Sequence, residues 1–541
     1  MRGDVKIITE GAEARRKLLA GAEKVYKAVS ATYSPVSGNV GVQKSYGGAV
    51  VTHDGVSVAR EVYLEDAVED MGAGLLVEAS ERSNSISGDG TSATVILGYN
   101  VLNNASKRVA AGYNPMALRR GIDKASVWIK DQLDDLTTPV EDKDLVKVAS
   151  ISASDPEIGK LVADTVVKVG GVGITVEQYE GIGVFQEVVD GLYFEKGWTM
   201  PHFITDQSTE EAIHGEVSIL VLERHIKQNQ DIVPIMEMVY GNTEHKTLLI
   251  VGNVAGQALE TCALTNLKGK VKVCVVAPPV YGDQELPFLE DVATLTGGRI
   301  VPSSLPADKV DSSFLGSAKK IIVSKATTTI LEGQGIKGDI DVRIASVREQ
   351  LKSDKYSSFQ KERMEMRLAK LQGKIGIIKV GGATETEAKE MRFRVEDAVH
   401  ATRAAKEEGI IAGGATSLAR LSNGELPELP PGELEGFKVV LESLVEPFKQ
   451  LMTNAGEDGG YRLSQVLKSK ANHGFDVKNL TDEPINLMKA GVIDPVKVIK
   501  SVVENACAFA GVTITIPLTI TFDRDWQLKQ IALNKAQQGI E

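Results

Sequence analysis

At 541 residues the chain is longer than the roughly 250–300 residues at which a single hydrophobic core stops growing, so two or three domains are expected. Hydrophobic residues at 43% and charged residues at 25% are ordinary for a globular protein and exclude a disordered class. A formal net charge of -12 argues against nucleic acid as a partner, because that interaction needs a basic surface to release counterions. A membrane class is set aside too, since no run of about 18 apolar residues occurs. The cytoplasm is the expected compartment: the opening MRGDVKIITEGAEARRKLLAG holds no apolar stretch of signal-peptide length, and Cys262, Cys274 and Cys507 are odd in number and lack metal-ligand spacing.

Over residues 10–32, apolar Ala14, Leu18, Leu19, Ala22, Val25, Tyr26 and Val29 recur at helical spacing, and a turn at Ser34-Pro35 ends the run. Two more helices are predicted over 69–84 and 91–111, and between them Ser87-Gly88-Asp89-Gly90-Thr91 opens a glycine loop directly into a helix. Over 247–301 the pattern changes to β-rich runs alternating with short helices: TLLIV, GQALETCALTNLKG, VKVCVVAP, LPFLEDVATLTGG and RIV. That is a small α/β unit. The charged stretch 340–371 predicts a solvated helical hairpin, and helix dominates again over 394–507. This order suggests an α/β unit inserted into a helical domain made from both ends of the chain.

The phosphate loop G-x-x-x-x-G-K-[ST] is absent, so any nucleotide is held by other means. Gly333-Gln334-Gly335-Ile336-Lys337-Gly338 matches G-x-G-x-x-G. A dinucleotide fold also needs a second parallel strand closing a unit of roughly 30 residues, and a long charged helical stretch follows instead. Gly88-Asp89-Gly90-Thr91-Ser92 is more informative. Glycines let backbone N–H groups approach phosphate oxygens, a helix N-terminus favours an anion, and Asp89 offers oxygens to a hard cation. Taken alone, such a turn is more often a helix cap than a ligand site. The stretch 231–240 is apolar on nearly every face. That suits either plain burial or an exposed site for apolar partners, to whose shapes Met side chains adapt.

The segments Asp54-Gly55-Val56-Ser57-Val58-Ala59-Arg60-Glu61, Gly88-Asp89-Gly90-Thr91 and Ala110-Ala111-Gly112-Tyr113-Asn114-Pro115 follow one another in the first half of the chain. In the second half come Ala326-Thr327-Thr328-Thr329-Ile330, Arg394-Val395-Glu396-Asp397-Ala398-Val399-His400-Ala401-Thr402-Arg403-Ala404-Ala405 and Glu408-Gly409-Ile410-Ile411-Ala412-Gly413-Gly414. In content and order they resemble the GroEL-type, group I chaperonins. The resemblance implies a multidomain α plus α/β fold. A mostly helical equatorial ATP-binding domain would span 1–136 and 409–541, a small intermediate domain 137–190 and 374–408, and an α/β apical domain, inserted in the middle, 191–373.

The resemblance also implies an ATP-hydrolysing protein-folding chaperonin that takes ATP with Mg2+, K+ being a second candidate cation. Its partners would be non-native polypeptides, further copies of itself in a homo-oligomeric ring, seven-membered in that family, and a GroES-type lid co-chaperonin. Carried over residue by residue, Asp89 is the magnesium ligand, Asp397 positions or activates the attacking water, and Asp54 is a second acid near the γ-phosphate. Gly55, Gly90, Thr91 and Ser92 cradle phosphates, with Thr32 and Pro35 on the next phosphate loop, and Ile151, Ser152, Gly413, Gly414, Ile493 and Asp494 hold the nucleoside. Val233, Met236, Leu259, Ala263 and Leu264, together with Trp198, His202 and Phe203, form the client surface, and Gly191 is a hinge. Phosphoryl transfer accounts for the acids jointly, because it needs metal-neutralised charge and an oriented water rather than a covalent nucleophile.

Departures from the family pattern are His53 for a lysine, Tyr33-Ser34-Pro35-Val36-Ser37-Gly38 in the turn, Ala415 for a third glycine, Phe475-Asp476-Val477 in the adenine region and Lys374 for a hinge glycine. Trp198 and His202 replace tyrosines, and the tail from Trp526 to Glu541 is polar and charged. A ring-forming passive holdase without productive ATP cycling is the alternative reading, against which the intact Asp54, Asp89 and Asp397 argue.

Overall fold

The computed structural model describes residues 6–43, 49–153, 155–169, 173–179, 181–207, 209–242, 246–269, 271–352 and 358–522; the tail from Trp526 lies outside them. The chain divides into two units, one made of residues 1–163 and 393–541 and the other of residues 164–392. An α/β unit thus interrupts a unit built from both ends of the chain.

The first unit is helical. Gly11–Ser30, Ala67–Ser87, Thr91–Ala110, Pro115–Leu136 and Val496–Ile514 share a core that includes Val25, Leu76, Leu97, Ile122, Phe437 and Val502. Val496–Ile514 is buried over most of its surface, with Glu504, Ala508 and Val512 forming one exposed stripe. The first two of these helices touch backbone to backbone. A Cβ at Gly21 would lie 1.8 Å from the Glu69 carbonyl oxygen, and one at Gly72 2.1 Å from that of Leu18. Two short ribbons complete the unit: Lys6–Glu10 pairs antiparallel with Leu518–Phe522, and Val40–Gln43 with Ala49–Thr52.

The second unit carries a nine-stranded sheet in the spatial order Ile174–Gln178, Lys374–Gly381, Gly183–Phe194, Thr328–Gly333, Gly316–Val323, Ala212–Leu222, Thr247–Val251 and Lys272–Val276, with Ile300–Val301 beside Ala212–Leu222. Ala212–Leu222, Thr247–Val251 and Lys272–Val276 run parallel and are joined through the helices Asn229–Asn242 and Gly256–Lys268, the crossovers that parallel strands require. Leu248 to Val251 are fully buried, as expected of parallel strands covered on both faces.

The G-x-G-x-x-G match has a packing explanation. Thr328–Gly333 is antiparallel to both its neighbours, so no dinucleotide-type turn follows it. A Cβ at Gly333 would lie 2.4 Å from the Leu295 carbonyl oxygen and one at Gly335 2.3 Å from that of Thr294; the glycines let the chain pass close to the end of the helix Glu285–Thr296.

The charged hairpin, Lys337–Lys352 and Ser358–Leu371, is solvated along its first helix, where Val347 alone is buried, and is anchored inward by two arginines. Arg343 and Arg367 each place Nε 2.8 Å from a carboxylate oxygen of the buried Asp291. Gly191 sits where one strand changes partners: Gly183–Phe194 pairs with Lys374–Gly381 as far as Asp190 and with Thr328–Gly333 from Gly191 onward.

Candidate functional site

Glycine punctuation builds the site in the helical unit. Ala67–Ser87 ends on Gly88 at φ 70 and Thr91–Ala110 begins from Gly90 at φ 86, left-handed conformations that a side chain strains. Gly90 offers no side-chain cap, so the first N–H groups of a 20-residue helix face outward from its N-terminus, where the dipole favours an anion. A Cβ at Gly88 would come within 2.1 Å of the His400 ring, and one at Gly90 within 2.7 Å of Val502. The loop is therefore clamped from two sides.

Asp54 caps the short helix Gly55–Arg60, accepting from the Val56 and Ser57 N–H groups and, at 2.6 Å, from the Ser57 hydroxyl. Gly55 faces Ser92: a Cβ there would lie 2.1 Å from Ser92 Oγ. The Ser92 side chain, in the first turn of Thr91–Ala110, thus packs directly against Gly55 at the start of Gly55–Arg60.

Four carboxylates share this region. Burial raises the Asp89 pKa, which the Gly90 N–H opposes and the charge of Asp54 adds to. Asp397, on the helix Glu385–Glu408, keeps water-accessible surface. It lies in a recess of protein atoms, so burial first, then Asp89, Asp54 and Glu396, hold its pKa well above the carboxylate range. Burial and Asp89 raise Asp494 to about 6, against the pull of the Ala415 and Gly414 N–H groups. Asp89, Asp397 and Asp494, each pushed away from ionising, call for a countercharge.

Among the described residues no three metal-binding side chains converge closely enough to hold an ion alone. A cation beside Asp89 would therefore complete its shell with phosphate and water oxygens, as magnesium does.

The other residues expected at the site lie as follows. Ile493–Pro495 pairs with Ile410–Ala412, setting Asp494 opposite Ile411. A Cβ at Gly413 would lie 2.8 Å from Asp494 Oδ1, so Gly413 and Gly414 lie against that carboxylate. Ile151 and Ser152 close the helix Asp142–Ser152, which packs on the same strand; Ile151 is partly exposed, and Ser152 Oγ is buried without a partner, a polar atom that a ligand would satisfy. Thr32 is buried, its hydroxyl donating to the Val29 carbonyl at 2.9 Å, and Pro35 is exposed in the following turn.

Sequence reasoning gave no role to Tyr33 or Asn454. Burial, then Asp494 and Asp89, push the Tyr33 phenol far above its usual pKa, and Asn454 Nδ2 donates to the Ser30 and Tyr33 carbonyls at 2.8 and 2.7 Å. His53 Nδ1 donates to the Gly38 carbonyl at 3.2 Å. Ala415 adopts φ 56, a left-handed conformation costing roughly 1–2 kcal/mol, while its buried methyl packs with Phe448, Leu451 and Phe475.

The raised Asp494 pKa makes a stability prediction. Between its unfolded value near 3.8 and its folded value of about 6 the folded chain binds more protons, so stability falls as pH rises through that window. The penalty is complete above it. Asp494→Asn is therefore expected to raise the nucleotide-free melting temperature at pH 7.5 and to lose that advantage near pH 4; an equal shift at both pH values would refute the assignment.

In the α/β unit the client surface narrows. Phe203 is fully buried, Met236 is 7% and Ala263 5% exposed, so these three belong to the core beneath the surface and are withdrawn as direct contacts. Val233 at 37% and Leu264 at 56% are exposed, as is His202, with Leu259 and Trp198 partly buried alongside. Most of the apolar stretch 231–240 serves packing: Ile232, Ile235 and Val239 are buried with Met236.

The model of the TCP-1/cpn60 chaperonin family matches residues 25–248 and 241–521. Two crystal forms of the chaperonin gp146 from the bacteriophage EL 2 (Pseudomonas aeruginosa), both in the presence of ATP-BeFx, share the fold. Form II gives a TM-score of 0.71 and form I 0.62, each at 19% identity over 95% of this chain and 99% of that one. No helix among the described residues is long and apolar enough to cross a membrane.

Proposed function

Because the chain belongs to the TCP-1/cpn60 chaperonin family, we propose that it is an ATP-hydrolysing folding machine that captures non-native polypeptides and encloses them in a ring of its own copies. The observation that carries this reading is the uncapped glycine N-terminus of Thr91–Ala110 facing Asp89 in the company of Asp54, Asp397 and Asp494. It combines an anion site with a cation site, as a nucleotide bound with a divalent ion requires.

Asp89 holds the cation, and the N–H groups and hydroxyls of Gly90, Thr91 and Ser92 with the Gly55 turn cradle phosphate oxygens. Thr32 and Pro35 close the phosphate side, while Ile151, Ser152, Gly413, Gly414, Ile493 and Asp494 border the nucleoside. Bound magnesium supplies neutralisation of phosphate charge. Asp89 and Asp54 are among the charges that raise the Asp397 pKa; Asp397 would orient the attacking water and take its proton.

Client capture falls to Val233, Leu259 and Leu264 with Trp198 and His202. For ring assembly, the ribbons carry exposed Ile8, Ile520 and Val51, apolar groups that a neighbouring copy would cover. The division into equatorial, intermediate and apical domains, the hinge at Gly191, a lid co-chaperonin and a cytoplasmic setting belong to the same proposal. ATP drives the cycle to the extent that it binds the capturing and enclosing states with different affinity.

The test is magnesium-dependent ATP hydrolysis by the purified chain, run beside sizing with and without nucleotide. A ring that hydrolyses ATP and changes size or shape with it is the expected result. A ring without turnover would favour a passive holdase, and a monomer without ATP affinity would overturn the reading.

A further inference from the structure

Behind the Gly88–Thr91 loop, hidden from the recess, lies a chain of polar side chains inside the helical core. Asn505 is 3% exposed, Ser83 and Thr94 are fully buried, and Ser501, Ser87 and Ser80 are nearly so. Asn505 Nδ2 lies 2.9 Å from the Ser501 carbonyl oxygen and 3.0 Å from Ser83 Oγ. A carbonyl only accepts, so the Asn505 atom facing it is the amide nitrogen. Ser83 accepts from Asn505 and shares a hydrogen bond with Thr94 Oγ1 at 2.8 Å in which either hydroxyl can donate. With Thr94 Oγ1 donating to the Gly90 carbonyl at 2.9 Å, beside the Thr94 N–H on the same oxygen at 2.9 Å, Ser83 is the donor to Thr94 in preference to its longer 3.4 Å contact with the Ala79 carbonyl.

Two further hydroxyls act on the neighbouring peptides. Ser87 Oγ lies 3.1 Å from the Asp89 carbonyl oxygen, sharing its proton with the Ser83 carbonyl at 2.9 Å. Ser80 Oγ donates to the Thr91 carbonyl at 3.2 Å. Three consecutive carbonyls, those of Asp89, Gly90 and Thr91, are thereby drawn into the core.

In a trans peptide the C=O and N–H point oppositely. With the Gly90 carbonyl turned inward, the Thr91 N–H is turned out of the helix N-terminus. With the Asp89 carbonyl held by Ser87, the Gly90 N–H meets Asp89 Oδ1 at 2.5 Å and fixes the carboxylate. Ordinary back-bonding of a hydroxyl to the carbonyl four residues earlier accounts for single links such as Thr94 to Gly90. It does not account for a chain that crosses three helices and ends on the loop.

We propose that Asn505, Ser83, Thr94 and Ser87 form a positioning network that holds the Asp89 loop in its nucleotide-receiving shape. The proposal rests on the reading of that loop as the phosphate and cation site. None of the four touches the reacting atoms. They act through the Gly90 and Asp89 peptides, and because each link polarises the next, the chain is stronger than its separate bonds.

The test uses the full chain with Thr94→Val, which removes the hydroxyl at nearly constant shape, and Thr94→Ser, which keeps it. Amide hydrogen exchange at Gly90, whose N–H is held by Asp89 Oδ1, is measured without nucleotide, and kcat and KM are measured with Mg-ATP. Thr94→Val is expected to speed exchange and to lower kcat/KM by about tenfold each, the factor one buried hydrogen bond carries. Thr94→Ser should restore both. Should Thr94→Val fail to fold, Ser83→Ala breaks the same chain one link further back, with the same direction expected.

Unchanged exchange and kinetics in the valine variant, or a loss that serine does not restore, would overturn the network. A wild-type chain that neither binds nor hydrolyses ATP would overturn the reading of the site, and with it this role, while the exchange data would still say whether the hydroxyls hold the loop.

Discussion

Asp397→Ala is expected to leave nucleotide affinity within a few-fold of wild type and to lower turnover by about 10²–10⁴, the range of a general base. The separation follows from where the residue sits. The glycine cradle, Asp89 and the strand bearing Asp494 lie in elements other than the helix Glu385–Glu408 that carries Asp397, so alanine removes a proton acceptor without disturbing the groups proposed to hold phosphate. Removing that negative charge also relieves repulsion among the acids, so binding should not weaken through electrostatics. Asp397→Asn keeps the shape and one oxygen that can orient water, yet cannot take a proton in the same range, and should fall as far in kcat. Steady-state phosphate release and equilibrium nucleotide binding, measured on the same preparation, check both variants. Normal turnover in either would remove Asp397 from the chemistry.

The parts legible in the sequence were those written in local pattern. The helices flanking the Asp89 loop appear as 3.6-residue periodicity, and Gly88 and Gly90 mark the break because left-handed backbone is needed on both sides of Asp89. The parallel strands of the α/β unit read as continuous apolar runs because both their faces are covered. Long-range partnerships left no such trace. Tyr33 is one aromatic residue in a turn, and only the fold sets it beside Asp89 and Asp494. Ser83, Thr94 and Asn505 look like indifferent helix residues, being joined across 422 positions of sequence. Phe203 and Met236 were assigned to the surface by resemblance, whereas the sheet and its crossover helices enclose them. The charge of the stretch 340–371 was evident in the sequence, but not its inward anchor, because the counter-ion Asp291 lies 52 and 76 residues away from the two arginines.

That counter-ion gives the largest stability effect expected in the α/β unit. Asp291 has 7% of its side chain exposed and receives Arg343 Nε at 2.8 Å and Arg367 at 2.8 and 2.9 Å. Both guanidinium groups also reach the Pro287 carbonyl, and Arg343 pairs with Glu290 at 2.7 Å. Asp291→Ala would leave two largely buried cations without their shared carboxylate, a change that costs about 3–5 kcal/mol when one partner of a buried pair is removed. Because Glu290 and Pro287 remain, and arginine stems can swing toward water, the lower end, about 3 kcal/mol, is expected. The denaturation midpoint of the α/β unit should fall, and amide exchange over 337–352 and 358–371 should rise well above that of the sheet strands. Replacing all three residues with apolar ones of similar size, Asp291→Leu with Arg343→Met and Arg367→Met, should recover most of the loss, since an unpaired buried charge costs more than the pair contributes. An unchanged midpoint in Asp291→Ala would mean that the arginines are solvated in the folded chain and that the hairpin is held by other contacts.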